Sequence, residues 1–352
     1  MIRADVVILG AGLTGLTLNY LLLKQNLDVV ILEARNRTGG RIYTTNRQHE
    51  APIEMGATWL GPQHRRLISL LKDLNIEVFE QTLGKRAIYE PTSMGPHQLV
   101  TLPPDQQSSY RIRGGTSKLI QILADEVSDD SIYFDQPARS VTEDEKGLTI
   151  KTSDLSFESK IVVSTLPPRL LQKSVELNPG LSEEVTRLLA RTHTWMGESI
   201  KFGLTYQDPF WRKDNLSGTV FSNVGPITEM YDHSDFEDDH YALKGFLNGS
   251  YFTLSLQERK NMVVNQLRKY YGDQAEHYLN YHELVWTHEE YTFTPYDEHV
   301  LPHQNNGHEL YNKPHMNGRF FIAGAETSLV SPGYMDGAVS SAERVAAQIM
   351  AK

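Results

Sequence analysis

A strand, a glycine-rich turn and a helix open the chain in the stretch DVVILGAGLTGLTLNYLL, and this order constrains the fold more than any other feature. Residues 5–9 have the composition of a buried parallel strand, and residues 16–24 have the apolar spacing of a helix. Between them, Gly10, Gly12 and Gly15 form the pattern G-x-G-x-x-G. The combination predicts a doubly wound α/β sheet whose first turn binds a dinucleotide.

The three glycines have different expected roles. Gly10 permits a tight turn, Gly12 lets the backbone approach a pyrophosphate, and Gly15 packs the helix against the strand. The helix N-terminus would direct free N–H groups at the anion. The second strand, residues 28–32, ends at Glu33, at the distance typical of the acid that accepts ribose hydroxyls. An ordinary βαβ unit without a ligand is the alternative, and the position of Glu33 argues against it.

The composition excludes several classes of protein. With 34 Lys and Arg against 44 Asp and Glu, the net charge of -10 disfavours nucleic-acid binding and binding to anionic membranes. The chain has no cysteine, which excludes disulfides, thiolate metal sites and a cysteine nucleophile. No apolar stretch approaches the roughly 20 residues of a membrane helix, and the first apolar segment is already a strand. We therefore expect a soluble cytoplasmic protein, without a membrane or nucleic-acid partner, that could form a homodimer.

The residues that follow the second strand narrow the choice of nucleotide. The stretch EARNRTGGRIYT places two arginines around a glycine pair, and IEMGATWLGPQ follows it. Both stretches resemble the flavin-containing amine oxidase family of the monoamine oxidase type. The resemblance implies a Rossmann-type FAD-binding domain joined to a smaller α+β substrate domain. It further implies that FAD is contacted by Arg35, Gly40 and Arg41 at the arm, and by the backbone of Gly56, Ala57 and Thr58 beside the isoalloxazine.

The resemblance also implies a division of the chain. The FAD-binding domain would comprise residues 1–80, 113–192 and 289–352, and the substrate domain would comprise residues 81–112 and 193–288. The backbone of Ala138 is expected to touch the adenine. Relatives carry a long helical segment over the substrate cavity where this chain has only the short, Pro- and Gly-rich segment 81–112. We therefore expect a reduced lid.

Four residues in the second half match positions near the family's reacting groups. Lys201, in the alternating strand SIKFGLTY, matches a lysine that holds a water beside flavin N5; a solvent-facing lysine on an edge strand is the alternative. Tyr296 and Tyr334 would form two walls of an aromatic cage that orients the amine, whereas core packing is the alternative for each. Trp286 matches the family's tryptophan near the flavin.

The C-terminal stretch RFFIAGAETSLVSPGYMDGAV repeats the strand, turn and helix of the N-terminus. By the same resemblance, Gly324 lies at the cofactor and Glu326 meets the ribityl chain or pyrophosphate. The Met335 N–H would face the flavin N1/C2 carbonyl at a helix N-terminus. Pro295 stands where animal monoamine oxidases have a cysteine bound to the flavin, so FAD is expected to be noncovalent. The two ends of the chain would then hold one cofactor.

The implied activity is oxidation of an amine C–N bond. A hydride equivalent would pass from the carbon beside the amine to flavin N5, molecular oxygen would reoxidise the flavin to give hydrogen peroxide, and the imine would hydrolyse to a carbonyl compound. A desaturase or protoporphyrinogen-type oxidase acting on a bulky apolar substrate is one alternative, and a non-catalytic FAD-binding module is another. No metal site is expected, because His233 and His240 lie in an acidic loop without recognised ligand spacing.

Overall fold

The computed structural model describes residues 1–81, 84–103, 108–128 and 130–351. As far as residue 128, the strands and helices are β1 (Ile2–Leu9), α1 (Leu13–Leu23), β2 (Val29–Leu32), β3 (Thr44–Thr45), β4 (Ile53–Glu54), α2 (Arg65–Asp73), β5 (Val78–Glu80), β6 (Arg86–Glu90), β7 (Gln98–Thr101), β8 (Tyr110–Ile112) and α3 (Ser117–Asp125). The first helix begins three residues earlier than the apolar spacing predicts, directly after the second glycine of the turn.

The middle and C-terminal parts of the chain alternate between the same kinds of element. From residue 130 to 206 they are β9 (Ile132–Tyr133), β10 (Ser140–Glu143), β11 (Leu148–Lys151), β12 (Ser156–Ser164), α4 (Pro168–Ser174), β13 (Glu176–Asn178), α5 (Glu183–Ala190) and β14 (Ile200–Tyr206). They continue with β15 (Leu216–Ser222), β16 (Ile227–Asp232), β17 (Tyr241–Leu247), α6 (Leu256–Tyr271), β18 (Asn280–Val285), β19 (Phe320–Ile322) and α7 (Met335–Met350).

The first large sheet confirms the α/β architecture. Its order is β13–β10–β11–β12–β1–β2–β9, with β19 pairing to β12, and β1 runs parallel to both β2 and β12. The last four residues of β1, Val6 to Leu9, are at most 1% exposed. A strand covered on both faces needs a continuous apolar run, which explains why β1 does not alternate.

Helices α1 and α7 pack together over this sheet, so the two ends of the chain share one core. Leu16 and Leu18 of α1 belong to the same apolar cluster as Val339 and Val345 of α7. The cluster also includes Ile8 of β1, which joins the helices to the sheet. In the part of the chain that the structure describes, no helix is both long and apolar enough to cross a membrane.

The second large sheet has the order β18–β14–β17–β16–β15–β6–β7. Strand β14 is buried throughout and pairs antiparallel with β17 and β18. Its even-numbered residues, such as Phe202, share an apolar cluster with Val263 and Leu267 of α6. Lys201 and Gly203 therefore point to the opposite face, because side chains alternate along a strand.

The segment expected to be a reduced lid contributes strands to this second sheet. Its described part contains β6 and β7, which belong to this sheet, and β8, which pairs with β5, but no helix. Residues 82, 83 and 104–107 lie outside the described residues. The strands of the first sheet come from residues 2–32, 132–178 and 320–322, and those of the second from residues 86–101 and 200–285. The four boundaries between the five predicted domain segments stay a prediction.

Candidate functional site

One cavity of about 730 Å³ is lined by residues of both large sheets. At one end it reaches Gly10 and Glu33, at the carboxyl ends of β1 and β2, and at the other it reaches Lys201, Phe246 and Tyr334. Carboxyl ends of parallel strands are where open α/β sheets bind ligands. The volume lies within the usual range of about 300–1,000 Å³ for small-molecule sites.

The glycine turn presents an uncapped helix end to this cavity. Gly12 is the N-cap of α1, has no capping side chain, and is followed by no acidic residue in the first helical turn. The backbone N–H groups at this end therefore remain available to an anion. Gly10 has a φ of +107°, and a Cβ on Gly15 would lie 2.0 Å from the Gly10 carbonyl oxygen. The structure therefore requires glycine at both positions for the turn and for helix packing.

Glu33 is fixed at the end of β2 by backbone donors. Its Oε2 accepts a hydrogen bond from the Ala11 N–H at 2.8 Å, and its Oε1 accepts one from the Arg35 N–H at 2.9 Å. The side chain is 5% exposed and lines the cavity, as does Ala138. The carboxylate thus lies beside the glycine turn, where the sequence predicts the ribose-binding acid.

Arg41 lines the cavity and forms a bidentate ion pair with Glu326, at 2.5 and 2.8 Å. Burial alone would raise the pKa of the fully buried Glu326 carboxyl, but Arg41 lowers this pKa below its ordinary value. The same carboxylate accepts the Trp195 N–H at 3.2 Å. The Glu326 oxygens are therefore directed at Arg41 and Trp195, and the contact of Glu326 with the ribityl chain or pyrophosphate stays a prediction. Gly324 is likewise outside the cavity lining, and its N–H donates to Ser341.

Arg35 connects the N-terminal arm to the C-terminal part of the chain. Its guanidinium pairs with Glu289 at 2.9 Å and donates to the Thr292 hydroxyl at 2.9 Å. Its side chain is 11% exposed and lines the cavity. The arm carrying Gly40 and Arg41 is thereby held beside the residues that follow β18.

Lys201 occupies a buried position at the opposite end of the cavity. Its Nζ donates to the Gly56 carbonyl oxygen, and the side chain is 5% exposed. Burial lowers the pKa of Lys201 to about 8, although Glu54 acts in the opposite direction. The alternative of a solvent-facing edge-strand lysine is wrong, because β14 is an interior strand. Nearby, Trp286 also lines the cavity, and its indole N–H donates to the Met55 carbonyl oxygen at 2.8 Å.

The two tyrosines predicted to form a cage have different surroundings. Tyr334 lines the cavity, with the Trp195 ring 5.8 Å away. Tyr296 is outside the cavity lining: its hydroxyl accepts the Thr194 N–H at 2.7 Å and its ring stacks on His193 at 6.1 Å. The aromatic rings near Tyr334 are those of His64, Trp195 and His303, at 5.7 to 6.1 Å, and a cage formed by Tyr296 and Tyr334 stays a prediction.

Helix α7 directs its N-terminus at the same end of the cavity. The helix begins at Met335, one residue before the predicted start, and its N-cap Tyr334 supplies no capping side chain. Asp336 does not cap α7, because its Oδ1 accepts the N–H groups of Arg66 and Leu67 at 2.8 and 3.0 Å. Met335 lines the cavity, so both the first and the last helix of the chain begin at this site.

Comparison with known proteins decides the family. The family model for flavin-containing amine oxidoreductases matches residues 13–93 and 92–350. The chain belongs to this family. It is 25% identical to a probable flavin-containing monoamine oxidase A of Dictyostelium discoideum, over 99% of this chain and 98% of that protein, and 23% identical to human amine oxidase B, over 99% and 86%.

Solved structures of the family share the fold. Putrescine oxidase bound to putrescine has a TM-score of 0.85 at 24% identity, covering 100% of both chains. Cyclohexylamine oxidase from Brevibacterium oxydans has a TM-score of 0.85 at 21% identity, covering 98% of both. With the family established, the protein is a flavin-dependent amine oxidoreductase.

The residues of this amine oxidoreductase fit the flavin cofactor that its family uses. The uncapped end of α1 suits a pyrophosphate, and Glu33 suits a ribose. At Gly12, an added Cβ would meet only Gly39 and Gly40 atoms, at 4.0 Å, so the backbone there is open to a close ligand. Twelve of the fifteen predicted cofactor residues line the cavity, and the exceptions are Gly15, Gly324 and Glu326.

Several residues of the site were not predicted from the sequence. Trp195 and Glu229 line the cavity, and Lys244 lies just behind it. The sequence did contain an indication of Lys244, a lysine within the mostly apolar strand YALKGFL. The face of the sheet to which its side chain points depends, however, on pairing between strands that are distant in sequence. Outside the cavity, ligand atoms of Asp235, Asp239 and His240 lie within 4.8 Å of one another. The expectation of no metal site stays a prediction.

Proposed function

We propose that this amine oxidoreductase oxidises a small amine at the Lys201 end of the cavity, with noncovalent FAD as cofactor and molecular oxygen as electron acceptor. The observation that carries the proposal is that one continuous cavity joins the glycine turn to Lys201, Tyr334 and Met335. When bound, FAD would supply a ring that accepts a hydride equivalent from the carbon beside the amine. Gly12, Glu33, Arg35 and Arg41 would hold its nucleotide portion.

The protein's own groups would orient the amine. Tyr334 and Trp195 line the cavity with ring centres 5.8 Å apart, and aromatic rings attract and align a substrate nitrogen. The half-buried carboxylate of Glu229 also lines this end, and it would draw in a substrate that enters as a cation. Lys201 would hold a proton or a water at the cavity wall. A charged end of this kind suits an amine better than a bulky apolar ring.

The choice of amine is also a proposal. Solved relatives include oxidases named for putrescine and for cyclohexylamine, a diamine and a cyclic monoamine. Glu229 supports a substrate with a second cationic group, because an ammonium at a carboxylate is stabilised most where water is excluded. Location in the cytoplasm and assembly as a homodimer stay predictions.

The test is anaerobic mixing of the FAD-loaded protein with a panel of monoamines and diamines of matched length. We expect at least one amine to bleach the yellow flavin, admission of oxygen to restore the colour with release of hydrogen peroxide, and acid precipitation to leave FAD in the supernatant. Absence of bleaching by every amine would contradict the proposed activity and favour a binding module. Colour retained in the acid pellet would contradict noncovalent binding.

A further inference from the structure

A second buried lysine lies beside Lys201 on the same face of the sheet. In the register of β14 with β17, Lys201 lies opposite Phe246, and Gly203 lies opposite Lys244. Lys244 is therefore the diagonal neighbour of Lys201, at the separation of about 7–8 Å between backbones that long side chains bridge. Gly203 leaves room there, since a Cβ at this position would lie 2.5 Å from the Ile53 side chain.

Both lysines form hydrogen bonds to the segment that contains Gly56 and Thr58. The Lys244 Nζ donates to the Thr58 hydroxyl at 3.0 Å, and this hydroxyl donates to the Gly56 carbonyl oxygen at 3.1 Å. Lys201 donates directly to the same carbonyl oxygen. Gly56 and Thr58 line the cavity, whereas Lys244 is 0% exposed and lies outside the lining, 3.8 Å from the Trp59 ring centre. Lys244 thus supports the cavity wall from behind.

The charges around Lys201 and Lys244 favour a state in which only one of the two amines is protonated. The titratable groups that face the pair are Glu54 on β4, Arg111 on β8, Glu229 on β16, and His233 just after β16. Each of the two amine nitrogens lies 4.9 Å from the centre of the Phe246 ring, and both bind the Gly56–Thr58 segment. A hydrogen bond between the two amines needs one neutral amine as acceptor, because an ammonium group has three donors and no acceptor. Two like charges in a dry site also repel, and one group gives up its proton.

We propose that Lys244 is a positioning residue of this site: as a buried neutral amine, it accepts a hydrogen bond from the Lys201 ammonium and holds that one positive charge at the cavity wall. Burial and the neighbouring Lys201 lower the pKa of Lys244 well below its ordinary value, in agreement with the geometric argument. Lys244 does not reach the cavity, so it acts through the cavity-lining residues Lys201 and Thr58. The kinetic part of this inference rests on the proposed function, and the titration part does not.

The test is NMR of the full-length protein carrying ¹³Cε-labelled lysine, titrated with and without FAD. The signals of Lys201 and Lys244 are assigned by their loss in Lys201→Met and Lys244→Gln. In the unsubstituted protein, we expect the Lys244 signal to have the shift of a neutral amine at pH 7. Lys244→Met should lower the titration midpoint of Lys201 by about one pH unit or more, because the hydrogen-bond acceptor is lost. Lys244→Gln, which keeps an acceptor, should restore part of this change.

Lys151→Met is the matched control, since Lys151 is an exposed strand lysine of the first sheet, and it should leave the Lys201 midpoint unchanged. An ammonium shift for Lys244 at pH 7 would overturn the proposal, even if no variant at this position folds. An unchanged or raised Lys201 midpoint in a folded Lys244→Met would do so as well. For an amine that the protein oxidises, kcat/KM should change with pH as Lys201 titrates. In Lys244→Met, this part of the pH profile should shift by the same number of pH units as the NMR midpoint of Lys201. If no amine is oxidised, the NMR result still decides the role of Lys244.

Discussion

At the scale of single residues, Tyr296 and Tyr334 show what a motif does and does not specify. Both were predicted as cage walls from their place in two motifs, yet only Tyr334 lines the cavity. The hydroxyl of Tyr296 accepts the Thr194 N–H, and its ring stacks on His193 and meets Phe293 edge to face. A motif fixes the position of a residue along the chain, whereas the direction of its side chain depends on partners that are distant in sequence.

Substitution of the two tyrosines tests this distinction. Tyr334→Leu removes an aromatic face from the cavity, and we expect kcat/KM for the best amine to fall by about tenfold or more, equivalent to the ~1.4 kcal/mol of an aromatic contact with a cation. Tyr334→Phe keeps the face and should lose much less. The measurement is flavin reduction by stopped flow at one pH.

Tyr296→Phe serves as the comparison. It removes one hydrogen bond to the Thr194 N–H, so we expect a loss of about 1 kcal/mol in the free energy of unfolding and a smaller change in kcat/KM than Tyr334→Leu causes. A larger kinetic loss for Tyr296→Phe than for Tyr334→Leu would support the cage role expected from the sequence and contradict the one given by the structure.

At the scale of elements, the N-terminal βαβ unit was predictable because its constraints are local. A glycine turn between an apolar strand and a mostly buried, apolar helix leaves few alternatives, and β1, α1 and β2 follow it closely. The pairing of β14 with β17 was not predictable, because it joins residues 35 to 47 positions apart through a register that no local pattern specifies. Lys244 was missed for this reason, although Lys201 was found.

Two glycines of the turn should respond differently to the same substitution. A Cβ at Gly12 meets only atoms at 4.0 Å, whereas a Cβ at Gly15 would lie 2.0 Å from the Gly10 carbonyl oxygen. Gly12→Ala should therefore leave the apoprotein's free energy of unfolding within about 1 kcal/mol of its original value but weaken FAD binding, because the methyl group occupies space needed by the pyrophosphate. Gly15→Ala should reduce both stability and FAD binding, since α1 must move away from β1.

The measurement is urea unfolding of each apoprotein together with FAD titration by fluorescence quenching. An equal loss of apoprotein stability in both variants would contradict the expectation that a methyl group is tolerated at Gly12 but not at Gly15. Full FAD affinity in Gly12→Ala would place the pyrophosphate away from this turn.

At the scale of the whole molecule, the prediction that both ends of the chain hold one ligand agrees with the shape of the cavity. The first and last helices begin at it, and the ion pairs Arg35–Glu289 and Arg41–Glu326 join N-terminal to C-terminal segments along its side. The sequence motifs predicted the strand, turn and helix at each end of the chain. The ion pairs themselves were not predictable, because a charge pattern does not reveal which of 44 acids faces a given arginine.

The buried Lys201 should make stability depend on pH across the whole chain. Its pKa is about 8 in the folded protein, against about 10.4 in an unfolded chain, so between these values the unfolded state binds more protons at this site. The contribution of this site to the free energy of unfolding therefore rises from pH 8 to pH 10.4, by at most about 3 kcal/mol, and is constant below pH 8.

Lys201→Met removes this titration, so the difference in unfolding free energy between the original protein and the variant should increase over that window. Urea unfolding at closely spaced pH values measures it, with Lys151→Met as a control whose difference stays nearly flat; a flat or falling difference for Lys201→Met would mean that Lys201 keeps an ordinary pKa despite its burial.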